Sequence, residues 1–239
     1  MRLLSFAHTD IGLKRKINQD SYLKDDAQQL FVVADGMGGH RGGEVASKLA
    51  VDVIQKFCCE NKNINPRERL DKAVNLSCAE IFKKSTENEE LAGMGTTVLA
   101  MLFEDNCCYI AQVGDSRAYL LNAGSVWQIT EDHSLLNEEI RAGRIEAGQA
   151  ANYQFKNVIT RSVGYEKQVV VDIYRREIQP GDMFFLCSDG LSGLVNIEEL
   201  GKEVAKHGPE QGLKNLVSLA NARGGDDNIT ALICHVVSI

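Results

Sequence analysis

Proline, long apolar runs and basic clusters are all scarce in this sequence. Only Pro66, Pro180 and Pro209 interrupt its 239 residues. No Gly/Ser linker, repeat or low-complexity stretch divides the chain, so one domain is expected. The longest apolar runs, 98–103 and 183–187, fall far short of the roughly 20 residues that a membrane span requires. The first ten residues lack the apolar centre of a signal peptide, and a cytoplasmic location is the expectation. The longest basic run is the triplet Lys14-Arg15-Lys16 and the formal charge is -7, so neither nucleic acid nor an anionic membrane is expected as a partner. Seven cysteines make an odd count with no Cys-x-x-Cys, which points to neither a disulfide framework nor a zinc site. No cysteine has an arginine six residues on, the geometry of a cysteine-nucleophile phosphatase. Gly-x-Ser-x-Gly, His-Glu-x-x-His and a Walker A lysine are also missing, removing the serine-hydrolase elbow, the zincin helix and the P-loop.

What is present is an ordinary globular composition, 44% hydrophobic and 25% charged, enough for a sizeable core. Strand-like runs fall at 30–34, 97–103, 107–113, 118–121, 126–130, 183–187 and 229–237, most of them bounded by Gly, Asn or Asp. A helix is expected over 43–60, where Ala46, Leu49, Ala50, Val53, Ile54 and Phe57 form one apolar stripe. A second opens with Asn65 as N-cap and Pro66 at the first helical position, with Leu70, Ala73, Val74, Ser77, Cys78 and Ile81 on its inner face. A third is expected over 209–223. The order is not an alternation of single strands and helices, so the fold class is α+β, layered, with two mainly antiparallel sheets.

The stretch "LFVVADGMGGHRGGE", residues 30–44, takes a core-like strand straight into Asp35 and five glycines. Asp-Gly is first of all a turn dipeptide. Yet "AQVGD" ends on Asp115, "FFLCSDG" carries Asp189, and "GGDDNIT" places Asp226 and Asp227 before the last strand. Ends of neighbouring strands lie about 5 Å apart, so these carboxylates would converge. Converging carboxylates raise one another's pKa unless a cation neutralises them. With oxygen donors only, the preferred ions are hard, Mg²⁺ or Mn²⁺; calcium would also take oxygen ligands, but no EF-hand spacing is present.

At this point the chain resembles the metal-dependent protein serine/threonine phosphatases of type 2C, the PPM family, in their compact bacterial form. The resemblance rests on "TDIGLKRKINQD", "VVADGMGGHRGGEVAS", "MGTT", "VGDSRAYLL", "TEDHSL", "NVITRSVG", "PGDMFFLCSDGL" and "GGDDNITALI", in family order across nearly the whole chain. It implies a four-layer α-β-β-α sandwich with metals between the sheets at one edge. It further implies that Asp35 bridges two Mn²⁺ or Mg²⁺ ions, with the Gly36 carbonyl on one and Asp189 and Asp227 on the other. Asp20 would act through water, and a third ion would join Asp115 to Asp189. Arg15 matches the arginine that grips the substrate phosphate. Met37 stands where animal members carry a histidine, which a thioether cannot replace as a proton donor. His40 and Asn157 are candidates for flap or substrate contact, and Asp132 and His133 either orient water or make a strand-end turn. A flap is expected at about 137–160 within a single catalytic domain.

The activity implied is hydrolysis of phosphoserine and phosphothreonine on proteins, opposing bacterial-type Ser/Thr kinases, by a monomer. Two alternatives are a partner-switching phosphatase for one anti-sigma antagonist and a non-catalytic phosphoprotein adaptor.

Overall fold

A computed structural model describes residues 1–38, 42–146, 148, 153–155 and 157–239. Eleven strands are described: β1 (Arg2–Asp10), β2 (Asp20–Asp25), β3 (Leu30–Met37), β4 (Gly95–Thr96), β5 (Val98–Glu104), β6 (Cys107–Val113), β7 (Arg117–Asn122), β8 (Ser125–Gln128), β9 (Asp172–Glu177), β10 (Met183–Cys187) and β11 (Ile229–Ser238). The helices are α1 (Gly42–Glu60), α2 (Pro66–Glu87), α3 (Leu135–Arg141), α4 (Asp189–Ser192) and α5 (Ile197–Ala222). One sheet runs β1-β11-β10-β7-β8, the other β2-β3-β5-β6-β9, with β4 paired to β3. Each described strand pair is antiparallel, as the layered α+β reading expects.

The strand side-chain period of two sorts the core into three layers. Leu30, Val32 and Ala34 of β3, with Val98 and Ala100 of β5, face α1 and α2 and pack on Ala46, Ile54, Leu70 and Val74. Phe31, Val33, Leu99 and Met101 turn the other way and meet Phe184, Leu186, Leu232 and Cys234 of the opposite sheet. Those β10 and β11 strands present Phe185, Cys187, Ile229, Ala231 and Ile233 outward to Leu200, Val204, Leu216 and Val217 of α5. The inter-sheet layer is centred on edge-on aromatic pairs, Phe31 with Phe103 at 6.0 Å and Phe103 with Phe184 at 5.4 Å.

Several element boundaries differ from the sequence expectation. The inner face of α2 is as read, and Asn65 caps it by accepting from Arg67 N–H. In α1 the fully buried face also includes Ser47, Val51 and Cys58, while Leu49 and Phe57 of the expected stripe pack partly buried against the same core. The third helix begins twelve residues early: Asn196 and Glu199 form a reciprocal capping box at Ile197. Gly208 and Pro209 only kink it, with Gly208 at φ 77°. Strands β1, β2, β4 and β9 were not expected. Of the flap region, α3 is described, capped by Ser134 accepting from Asn137 N–H. No described helix is long and apolar enough to cross a membrane.

Candidate metal centre

The sheet pairing carries the acidic residues to one edge. Asp35 lies near the end of β3, directly opposite Asp20 at the start of β2. Asp115 sits in the turn between β6 and β7, Asp189 is the first residue of α4 beyond β10, and Asp227 precedes β11. The two sheets thus contribute from both sides.

Backbone and hydroxyl contacts fix these positions. Asp35 N–H donates to Thr97 Oγ1 at 3.0 Å, and Asp35 O accepts from Thr97 N–H at 2.8 Å and from the Thr96 hydroxyl at 2.9 Å. Thr97 Oγ1 in turn pairs with the Ser116 hydroxyl next to Asp115. Ser188 Oγ donates to Asp20 Oδ2 at 2.8 Å and accepts from Thr230 N–H at 3.0 Å, joining one sheet to the other beside Asp189. A Cβ on Gly36 would stand 2.1 Å from Gly43 O and 2.5 Å from Gln19 O, so only glycine lets β3 pass under the start of α1 here. Gly190 likewise lies against the backbone of Asn228, where a Cβ would meet Asn228 O at 2.0 Å.

The electrostatics record how crowded the edge is. Burial, then repulsion from Asp20, Asp189, Asp115 and Asp227, holds the Asp35 carboxyl well above the usual range. Burial, opposed by hydrogen bonds from Thr230 and Ser188 and reinforced by Asp189 and Asp227, pushes Asp20 up to about 7. Burial followed by Asp189 and Asp132 also pushes Asp115 up to about 7. Asp189 is raised by burial and by Asp227. Asp20 and Asp189 are only half-buried as residues, yet Oδ1 of each is sealed from solvent without a hydrogen-bond partner. A sealed carboxylate oxygen with no donor is costly, and a hard cation would satisfy it. The all-oxygen donor set of Asp20, Asp35, Asp115, Asp189 and Asp227 fits such an ion. Its side chains are not drawn into a closed cage: among the described residues, no group of three or more acidic, His or Cys side chains has the spacing of an assembled metal site.

Arg15 reaches this set from the loop between β1 and β2, with Nη2 donating to Asp227 Oδ2 at 2.6 Å. Asp227 raises its pKa by accepting that bond, and Asp35 and Asp189 add to the effect. Asp226 is more exposed and pairs with Lys14, so Asp227 is the member of the doublet turned to the site. The loop is held by Asn228, whose Nδ2 donates to Ile11 O and Ile17 O and whose Oδ1 accepts from Gln19 N–H.

Asn228, Ser188, Thr97 and Thr230 were not singled out from sequence. Their signal was adjacency alone, since each neighbours a quoted aspartate or sits in "MGTT" or "DDNIT". Asp132 pairs with Arg117 through Nε and Nη2 at 2.9 and 2.6 Å. His133 is buried, its Nδ1 accepting from Gly114 N–H at 3.1 Å while Nε2 faces Asp172 Oδ2 at 3.0 Å. It therefore braces the residue before Asp115. Asn157 lies exposed in a turn and makes no side-chain hydrogen bond among the described residues, so nothing ties it to the carboxylates. His40 lies outside the described residues.

A family model described as protein phosphatase 2C matches residues 13–224. A serine/threonine phosphatase, stp, of Listeria innocua is 38% identical over 235 residues, covering 94% of this chain and 92% of the relative. The crystal structure of the Mycobacterium tuberculosis serine/threonine phosphatase PstP/Ppp matches with a TM-score of 0.93 at 33% identity, covering 99% of both chains. A structure of the PstP catalytic domain in complex with two manganese ions matches with a TM-score of 0.88 at 34% identity, again covering 99% of both. Fold, strand-end carboxylates and these likenesses agree: the chain belongs to the protein phosphatase 2C family.

Proposed function

We propose that this chain hydrolyses phosphoserine and phosphothreonine on proteins with divalent metal ions held by its strand-end carboxylates. The observation that carries the reading is the convergence of Asp20, Asp35, Asp115, Asp189 and Asp227 from both sheets, with sealed, unpaired oxygens on Asp20 and Asp189. Divalent-metal dependence accords with family membership and with a relative solved with manganese.

In this reading Asp35, the Gly36 carbonyl, Asp189 and Asp227 would hold two Mn²⁺ or Mg²⁺ ions. Asp20 would act through water, and Asp115 with Asp189 would hold a third ion more weakly. Divalent ions bound there supply Lewis-acid charge that lowers the pKa of the attacking water and offsets charge developing on the phosphoryl group. Arg15 offers planar, paired donors to the phosphate oxygens. It is half-exposed, as is its Asp227 partner, and such a pair contributes roughly 1 kcal/mol or less, so substrate can draw the guanidinium away at small cost. Met37 has no proton to give, so it does not serve as the donor to the departing seryl or threonyl oxygen.

The substrates are phosphorylated proteins, and a bacterial-type Ser/Thr kinase is the expected counterpart. A cytoplasmic monomer with one catalytic domain and a flap at about 137–160 completes the proposal, and the net charge of -7 argues against nucleic acid or an anionic membrane as partner. The adaptor alternative is disfavoured because the full acidic set is retained. The test is hydrolysis of a phosphothreonine peptide with Mn²⁺, with Mg²⁺ and in EDTA. Turnover should require a divalent ion; equal rates in EDTA would overturn the mechanism.

A further inference from the structure

Beside the metal edge lies a cavity of about 580 Å³, lined by Met37, Ile159, Arg161, Tyr165, Val169 and Val170 among others. Met37 is two residues beyond Asp35 on β3, and residues two apart in a strand share one side of the pleat. The cavity therefore adjoins the strand end that carries the Asp35 carboxylate, about 7 Å along β3 by the usual rise per residue.

The far wall is fixed rather than loose. Val163 and Thr96 exchange backbone hydrogen bonds at 2.9 and 3.0 Å, next to the Gly36–Thr96 pair. Gly164 N–H donates to Cys78 Sγ, the Cys78 thiol donates to Glu166 O, and Val169 N–H donates to Asn75 Oδ1. On this anchored wall Tyr165 and Val170 are left 73% and 69% exposed. The one cation among the described lining residues, Arg161, is engaged by Asp172 Oδ1 at 3.1 Å, while Glu166 adds a negative charge.

Resting on the phosphatase reading, we infer that this cavity receives an apolar side chain of the substrate polypeptide close in sequence to the phosphorylated residue. An extended chain advances about 3.3–3.6 Å per residue, so the side chain involved lies within about three residues of the phosphoserine or phosphothreonine. Among the described residues an acidic side chain finds no free cation there and meets Glu166. An aliphatic or aromatic one covers Tyr165 and Val170. Burying one such side chain corresponds to roughly a 10-fold or larger gain in affinity.

The test uses the Mn²⁺-loaded enzyme, p-nitrophenyl phosphate, and two phosphothreonine peptides that differ only in carrying Leu or Asp at the flanking positions. Wild type should prefer the Leu peptide about 10-fold in kcat/KM. Val170→Asp and Tyr165→Ala should reduce that preference to 2-fold or less and leave p-nitrophenyl phosphate turnover unchanged, because the small substrate does not reach the wall. Equal rates on the two wild-type peptides, or an undiminished preference in Val170→Asp, would overturn the inference while phosphatase activity stands. Inactivity of wild type on all three substrates would refute the phosphatase reading itself.

Discussion

Stripping the metal should leave a protein that loses stability as the solution becomes more alkaline between pH 5 and 8. Asp20 and Asp115 rise from 3.8 to about 7 in the folded chain, so over that window the native state holds protons that the unfolded chain has released. Stability is then highest below pH 3.8 as far as these two groups are concerned, and is lost as pH rises through 7. At about 1.4 kcal/mol per pH unit, each carboxyl corresponds to about 4 kcal/mol over the whole window. Solvent at the open edge screens part of this, and the range from pH 5 upward samples only part of the window. About 3 kcal/mol for the pair is the resulting expectation, a fall in Tm of about 6–12 °C for a chain of this size. The assay is thermal or urea unfolding in EDTA at pH 5, 6, 7 and 8, repeated for Asp20→Asn and Asp115→Asn. Each substitution should lower the slope, with the raised Asp35 and Asp189 carboxyls keeping part of it. Saturating Mn²⁺ should flatten or reverse it, because the ion requires deprotonated carboxylates and replaces their protons. A metal-free protein whose stability is constant or rising from pH 5 to 8, or an unaltered slope in the double variant, would refute the reasoning.

Asp35→Asn should lower kcat/KM by at least about 10³-fold and weaken Mn²⁺ binding, while the metal-free protein becomes no less stable, since a buried, repelled charge is gone; full turnover would remove Asp35 from its assigned role. Arg15→Lys should raise KM for a phosphopeptide by about 10-fold with a smaller change in kcat, because a point charge replaces a planar fork, and steady-state kinetics read this directly. Gly36→Ala should destabilise the fold by about 3 kcal/mol or more, because its Cβ would meet Gly43 O at 2.1 Å; a wild-type urea midpoint would contradict that account. Asn228→Ala releases the loop that carries Arg15, and should raise KM while leaving the Mn²⁺ affinity within about 3-fold of wild type, as isothermal titration would show.

The parts of the fold legible in sequence were those buried on two sides. β3, β5, β6, β10 and β11 read as continuous apolar runs because each lies between two cores. Of the four strands that were missed, β4 is a two-residue pairing off the main sheet path, and β1, β2 and β9 lie at sheet edges, where one neighbour is solvent and residues such as Lys24, Arg175 and Arg176 are admitted. The first half of α5 escaped because Gly208-Pro209 reads as a start, although "NIEEL" at 196–200 already held the capping box. The aspartates were legible because a charge ending an apolar run is anomalous. Their supports, Thr97, Ser188 and Asn228, are ordinary polar residues in turns, and only tertiary contact gives them meaning.

The inter-sheet aromatic layer has a consequence for the metal edge. Asp20 and Asp35 ride on one sheet, Asp189 and Asp227 adjoin the other, and Asp115 lies in the turn that joins the two, so the spacing between the sheets, about 10 Å from backbone to backbone, sets how far these side chains must reach to meet. Phe31, Phe103 and Phe184 therefore act as a gauge block for the centre. Shaving one of them would let the sheets settle together and change the bite offered to an ion, so that metal affinity would report on a hydrophobic contact that no ligand touches.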